Sequence, residues 1–455
     1  MKNIISKTAF VAIVASAIIS CKPDLKAPTA EKGSADFTKY VAIGNSITAG
    51  FADGALYYDG QASSYANILA QQFKTVGGGE FKTPFTAVNS VGMGSSGNAK
   101  LVLGYKTDCK GVNGLSPIPF AANGDLAVFF ASVANQQPFN NMGIPGAKVT
   151  TVVYPGYGNA ALLLPNYNPF FARTLTTAEQ PTASMLSKSV EQNATFFSLF
   201  IGNNDVLGYS TDGGASGSIT PSAGAAGVGF DASYDAIIAG MTANGAKGVI
   251  ANVPYVNDLP YFTTVPYNGL TLDATQAAGL SAYYNAVYPT AGISFSAGSG
   301  LPFIIQDPAV TGGVRKIKSN EYVLLTTPQD SLKCAGWGSK KPLANKYVLT
   351  EAEVANIKNA TDAYNTKIKT VADAKGFAFV DVNAFMASAK KGVVFNAVTT
   401  SATFVSGGAF SLDGIHLTPR GNALLANEFI KAINAKFGST IMQVDANQYI
   451  GIKFP

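Results

Sequence analysis

Short apolar runs that end in small or polar residues recur along this chain, at YVAIG (40–44), TFFSLFIG (195–202), GVIANV (248–253) and FAFVDV (377–382). Each has the length and content of a buried strand. Between them stand stretches with apolar residues at helical spacing, at 64–73, 184–192, 234–245, 351–376 and 420–438. This alternation predicts an α/β fold, with a central, mostly parallel sheet covered by helices on both faces as a three-layer α/β/α sandwich. In such sheets the functional groups gather outside the carboxyl ends of the strands, where Ser46 and the residues after Gly202 fall. Two stretches break the rhythm, 76–140 and 255–345, both rich in Gly, Asn and Pro. Loops this long read as functional insertions or small subdomains.

The first 20 residues carry Lys2 and Lys7, an apolar run from about Thr8 to Ile19, and Ser20 before Cys21. The run is shorter than the roughly 20 residues a membrane span needs, and its flanks suit a secretory signal peptide, 1–20. Cys21 at its end resembles the lipobox of bacterial lipoproteins, in which the thiol is lipidated and becomes the first residue. The other reading is an ordinary signal peptide with a free Cys21. Residues 21–37 lack apolar periodicity and read as a flexible tether, leaving 38–455 as the folded domain. These features imply an envelope protein held at a membrane, an outer membrane by expectation, through lipidated Cys21. Lys22 is not the aspartate that favours inner-membrane retention in some bacteria.

Charged residues make up only 13% of the chain, its formal charge is +5, and no Lys/Arg cluster stands out. Nucleic acid is therefore not an expected partner. Beyond Cys21 there are two cysteines, Cys109 and Cys334, which outside the cytoplasm could pair or remain free buried thiols. With two cysteines and one histidine scattered along the chain, no structural zinc site is expected. GMGSSG (92–97) fits a dinucleotide-binding spacing after the strand-like FTAVNSV, but neither a following amphipathic helix nor an acidic residue about 20 positions on completes the unit.

Four stretches carry candidate chemistry. In YVAIGNSITAG (40–50) a strand ends at Gly44 and Ser46 follows; locally this favours a serine that caps the next helix, with a nucleophile as the alternative. The single histidine lies in SLDGIHLTPRG, three residues after Asp413. That is the spacing of a base, His416, and the carboxylate that orients it, just before a helix start with Thr418 as cap and Pro419 at the first position. FIGNNDVLGY (200–209) runs from a strand into Asn and Asp, where a side-chain amide could donate to an oxyanion. NNMGIPGAK (140–148) is a Gly-bearing turn that could offer a bare backbone N–H, from Gly143 or Gly146.

In this order the four stretches resemble the sequence blocks of the GDSL lipases and esterases, also called SGNH hydrolases. Gly44-Asn45-Ser46 is similar to the family's Gly-Asp-Ser, with Asn45 where the family has Asp. Asn141 to Gly146 resembles its glycine block, Gly202-Asn203-Asn204-Asp205 its Gly-x-Asn-Asp block, and Asp413 to His416 its Asp-x-x-His block. The resemblance implies a flavodoxin-like sandwich in which Ser46 is the nucleophile, His416 the base and Asp413 its orienter. The oxyanion hole would be the N–H groups of Ser46 and Gly146 and the amide of Asn204. It further implies a monomeric carboxylic ester hydrolase with no metal or organic cofactor, acting on a small-molecule, lipid or acylated-glycan ester. The reading from another class is a non-catalytic envelope lipoprotein that uses the fold to bind glycan or lipid.

Overall fold

The computed structural model describes residues 29–162, 166–215 and 217–455. The signal segment, Cys21 and the first part of the tether lie outside the described residues. At the centre are five strands, β1 (Tyr40–Gly44), β2 (Asn141–Gly143), β3 (Phe196–Phe200), β4 (Lys247–Ala251) and β5 (Ala378–Val380). They lie in the order β5-β4-β3-β1-β2, and every pairing is parallel. Read from the other edge this is the 2-1-3-4-5 order of doubly wound sheets of flavodoxin type, whose switch point lies between β1 and β3.

Every residue of β1 and β3 is buried, as a sheet covered on both faces requires. Alternation along β3 sends Phe196 and Phe200 to one face. There the first meets Phe73 and Phe437, and the second Tyr65 and Phe429. These partners come from α2 (Tyr65–Lys74) and α7 (Pro419–Phe437), numbered after a single turn, α1 (Ser46–Ala49). Four further helices are α3 (Asn204–Thr211), α4 (Phe230–Thr242), α5 (Glu351–Lys375) and α6 (Val382–Lys391). The Phe230 and Tyr364 rings stack at 3.9 Å and lock α4 to α5.

The structure departs from the sequence reading at several places. Residues 141–143, read as a turn, form β2 because their register against Ala42–Gly44 satisfies the edge of the sheet. The strand-like run at 377–382 stops at Val380, since Asp381 caps α6 by accepting from Ala384 N–H. FTAVNSV forms no strand; only Met93 of the following GMGSSG makes a bridge, to Leu56.

Both insertions are folded. The first carries an antiparallel hairpin, Leu101–Thr107 with Asn113–Pro119. The second has its own helix, Ala274–Val287, and a small core around Phe303, Ile305, Val323 and Leu343. A disulfide joins Cys109 of the first to Cys334 of the second, so the free-thiol alternative is set aside, and both residues are exposed rather than buried.

Candidate active site

The switch point brings the candidate residues together. Gly44 ends β1, and a Cβ there would lie 2.0 Å from Thr48 Oγ1 and 2.6 Å from Phe200 O, so only glycine lets the chain turn straight into α1. The cap of that turn is Asn45, whose side-chain oxygen accepts from Ile47 N–H at 3.2 Å. Ser46 is therefore not the cap. It occupies the first helical position, 7% exposed, with its hydroxyl 2.8 Å from His416 Nε2. Asn45 is fully buried and donates from Nδ2 to Asn203 Oδ1 at 3.1 Å, a bond that an ionised Asp at this position would lack the proton to make.

His416 Nδ1 lies 2.8 Å from Asp413 Oδ2. The same carboxylate accepts the N–H groups of Ile415, His416 and Gly54, each at 2.8 Å. Burial alone would raise this carboxyl, but the His416 charge and these hydrogen bonds hold it well below the usual carboxylate range. The helix that follows starts as its sequence predicts, with Thr418 Oγ1 accepting from Gly421 N–H and Pro419 in the first turn.

Asp53 also belongs to this network and was not singled out in the sequence. Its backbone lies in the left-handed region, φ +52°. Oδ1 accepts from Leu412 N–H at 2.9 Å, Oδ2 from the Tyr57 hydroxyl at 2.7 Å, and its own N–H donates to Ser411 Oγ at 2.9 Å. These bonds fasten the segment after the Ser46 turn to the segment that carries Asp413. Burial pushes the Asp53 carboxyl up, the Leu412 and Tyr57 bonds pull it back, and the Asp413 charge adds to the rise.

Asn204 opens α3 just past the end of β3, and its Nδ2 donates to Ala147 O at 2.9 Å. One amide proton is thereby used and the other left over. Of the two candidate glycines, Gly143 has its N–H bonded to Asn141 Oδ1 at 2.9 Å and packs so closely that a Cβ would lie 2.3 Å from Ala49 N. Gly146, φ +82°, is exposed, and its N–H meets no acceptor among the described residues. Asn168 steadies that turn by donating to Pro145 O at 2.8 Å.

Ser46, Asn204 and His416 line one small cavity of about 30 Å³, walled otherwise by Asn45, Asn203 and apolar side chains; Gly146 is not among its lining residues. Larger surface concavities lie elsewhere, one of about 260 Å³ by Gln137 and Leu175 and one of about 700 Å³ by Asn252 and Asp362, and neither contains His416. Among the described residues no group of three or more His, Cys, Asp or Glu is placed to hold a metal ion. No described helix is long and apolar enough to cross a membrane.

No family model matches this chain, and no curated protein matches it. A solved structure described as LAE5, an alpha/beta hydrolase enzyme from the metagenome of Lake Arreo, Spain, is similar with a TM-score of 0.34 and 12% sequence identity. The match covers 88% of this chain and 96% of that one. A likeness this distant says nothing about the site, whose chemistry has to be read from its own geometry.

Proposed function

We propose that this chain is a serine hydrolase of carboxylic esters of the GDSL or SGNH kind. The observation that carries the reading is the unbroken line from Ser46 Oγ through His416 Nε2 and Nδ1 to Asp413 Oδ2, with 2.8 Å at each contact. Asp413 holds the proton on Nδ1, which leaves the Nε2 lone pair facing the serine hydroxyl. His416 takes that proton as Ser46 Oγ attacks the ester carbonyl, and the oxyanion forms against the N–H groups of Ser46 and Gly146 and the remaining amide proton of Asn204. His416 then passes the proton to the departing alkoxide oxygen. Water, deprotonated by the same imidazole, attacks the acyl-enzyme, and the acid leaves as Ser46 regains its proton. None of these steps requires a metal or an organic cofactor.

The test is turnover of p-nitrophenyl acetate beside Ser46→Ala and His416→Ala, each expected to lose about 10³-fold or more because the three groups act as a unit. A fluorophosphonate should label wild type on Ser46. Equal activity in all three proteins would remove Ser46 from the chemistry, and failure of both turnover and labelling would favour a binding protein. For location we propose the cell envelope, with Cys21 as a lipid anchor. A disulfide between Cys109 and Cys334 suits an oxidising compartment. Mass spectrometry of the N-terminal peptide from native membranes checks this, a diacylglyceryl mass on Cys21 being the expected result.

A further inference from the structure

The cavity beside Ser46 has a shape that bears on the substrate. Its volume of about 30 Å³ is roughly two to three times what admits one water and about a tenth of the smallest pockets that hold drug-sized ligands. One side of it is made of core residues: Val206, Val253, Leu259 and Met386 are each less than a tenth exposed, and they come from α3, the segment after β4, the start of the second insertion and α6, while the half-buried Asn203, Leu207 and Ile415 stand at its open side. Such a wall is packed against the sheet and does not yield as a surface loop would.

We infer that this cavity is the acyl subsite and that it admits acetyl groups while excluding longer chains. The inference rests on the ester-hydrolase reading and deepens it. In the two half-reactions the alcohol must leave while the acyl group stays bonded to Ser46, so a closed apolar recess suits the part that stays and an open side the part that leaves. A methyl group beside the reacting carbonyl fills the recess; a butyryl chain would have to push Met386 or Leu259 into neighbours already in contact. The alcohol, facing outward, is left to the surface around the site.

The experiment is a kcat/KM series on p-nitrophenyl acetate, butyrate and octanoate with the full chain, repeated with Met386→Ala. Acetate should exceed butyrate by about 10- to 200-fold, the discrimination that one or more ill-fitting methylenes produce, and octanoate should be hydrolysed more slowly still. Met386→Ala should cut the acetate-to-butyrate ratio by about tenfold, since it removes wall without touching the triad. If butyrate or octanoate matches acetate in wild type, with turnover still dependent on Ser46, the acetyl assignment is wrong and the hydrolase reading stands. If no ester is turned over and a fluorophosphonate leaves Ser46 unlabelled, the hydrolase reading fails and takes the assignment with it. Should Met386→Ala not fold, the wild-type series decides alone.

Discussion

Asp413 presents two oxygens to four donors, so its geometry is over-determined and its charge is kept throughout the neutral pH range. Asp413→Asn retains the shape but puts either an oxygen without a charge or an NH₂ group opposite Nδ1. The second arrangement drives the imidazole proton to Nε2, where it blocks acceptance of the Ser46 proton. A fall in kcat of about 10⁴ with little change in KM is expected; a fall below tenfold would mean that Asp413 does not set the tautomer. Asp53 acts one step further out, as a positioning residue. Asp53→Ala orphans the Leu412 N–H and the Tyr57 hydroxyl, at about 1–3 kcal/mol for each buried donor, and Asp53→Asn returns one acceptor. Urea melts should rank wild type above Asn and Asn above Ala, and equal midpoints would show that the turn is held without Asp53. The grouping of Ser46, His416 and Asp413 came from four weak blocks standing in one order with the lone histidine in the last, and these are the side chains found within hydrogen-bond distance of one another. Asp53 did not stand out, since the partners that tie it to the Asp413 segment, Ser411 and Leu412, lie more than 350 residues away. The choice between Gly143 and Gly146 likewise turned on which N–H is already bonded, which a sequence does not display.

At the scale of elements, the candidate oxyanion hole depends on how α3 meets the turn that follows β2. Asp205, fully buried in the first turn of α3, accepts from Val149 N–H at 3.0 Å through Oδ2, while Oδ1 has no hydrogen-bond partner among the described residues. Burial pushes its carboxyl up to about 6, against the pull of the Val149 bond. A carboxyl raised on folding binds its proton more tightly in the native state, so its contribution is complete below the unfolded value near 4 and is lost as pH rises through 6. The full loss is on the order of 3 kcal/mol. Thermal melts of wild type should therefore lose stability between pH 4 and 7 relative to Asp205→Asn, which keeps an acceptor for Val149 without the charge. Parallel pH profiles for the two proteins would show that Asp205 does not titrate in this window. Long elements with a repeating apolar face were the legible ones: the runs at 351–376 and 420–438 become α5 and α7 to within a residue at each end. Three-residue β2 has no periodicity to read and exists because β1 supplies its partners. Helix α6 did carry a pattern, with Val382, Phe385, Met386 and Ala389 buried at helical spacing, but it follows its strand with only Asp381 between them, and the strand-like run conceals its start.

At the scale of the whole molecule, the two insertions meet the candidate site at one end and each other at the other. Near the triad, the first reaches the Ser46 side through Leu101 N–H to Asp53 O at 2.8 Å, and the second reaches the His416 turn through Tyr261 N–H to Gly414 O at 2.9 Å. Away from it, the Cys109–Cys334 disulfide is flanked by Lys333 with Asp108 at 3.0 Å and Lys106 with Asp330 at 3.6 Å. The lysine and the neighbouring N–H groups of Val112 and Lys110 hold Asp108 at about 2, so this carboxylate stays charged in any mild buffer. Surface ion pairs of this kind add little by themselves. The covalent link spans 225 residues and removes far more freedom from the unfolded chain. Reduction, or the double substitution Cys109→Ser with Cys334→Ser, should lower unfolding free energy by about 2–4 kcal/mol while leaving kcat on p-nitrophenyl acetate near wild type at room temperature, because neither cysteine touches the triad. The check is paired thermal melts with and without reductant, with free thiols counted in each sample. An unchanged midpoint after both thiols are freed would mean that each insertion folds on its own stem and the bond between them restrains nothing. A lowered midpoint accompanied by a matching loss of kcat would instead tie the outer bond to the triad, through Asp53 and Gly414, where the two stems meet it.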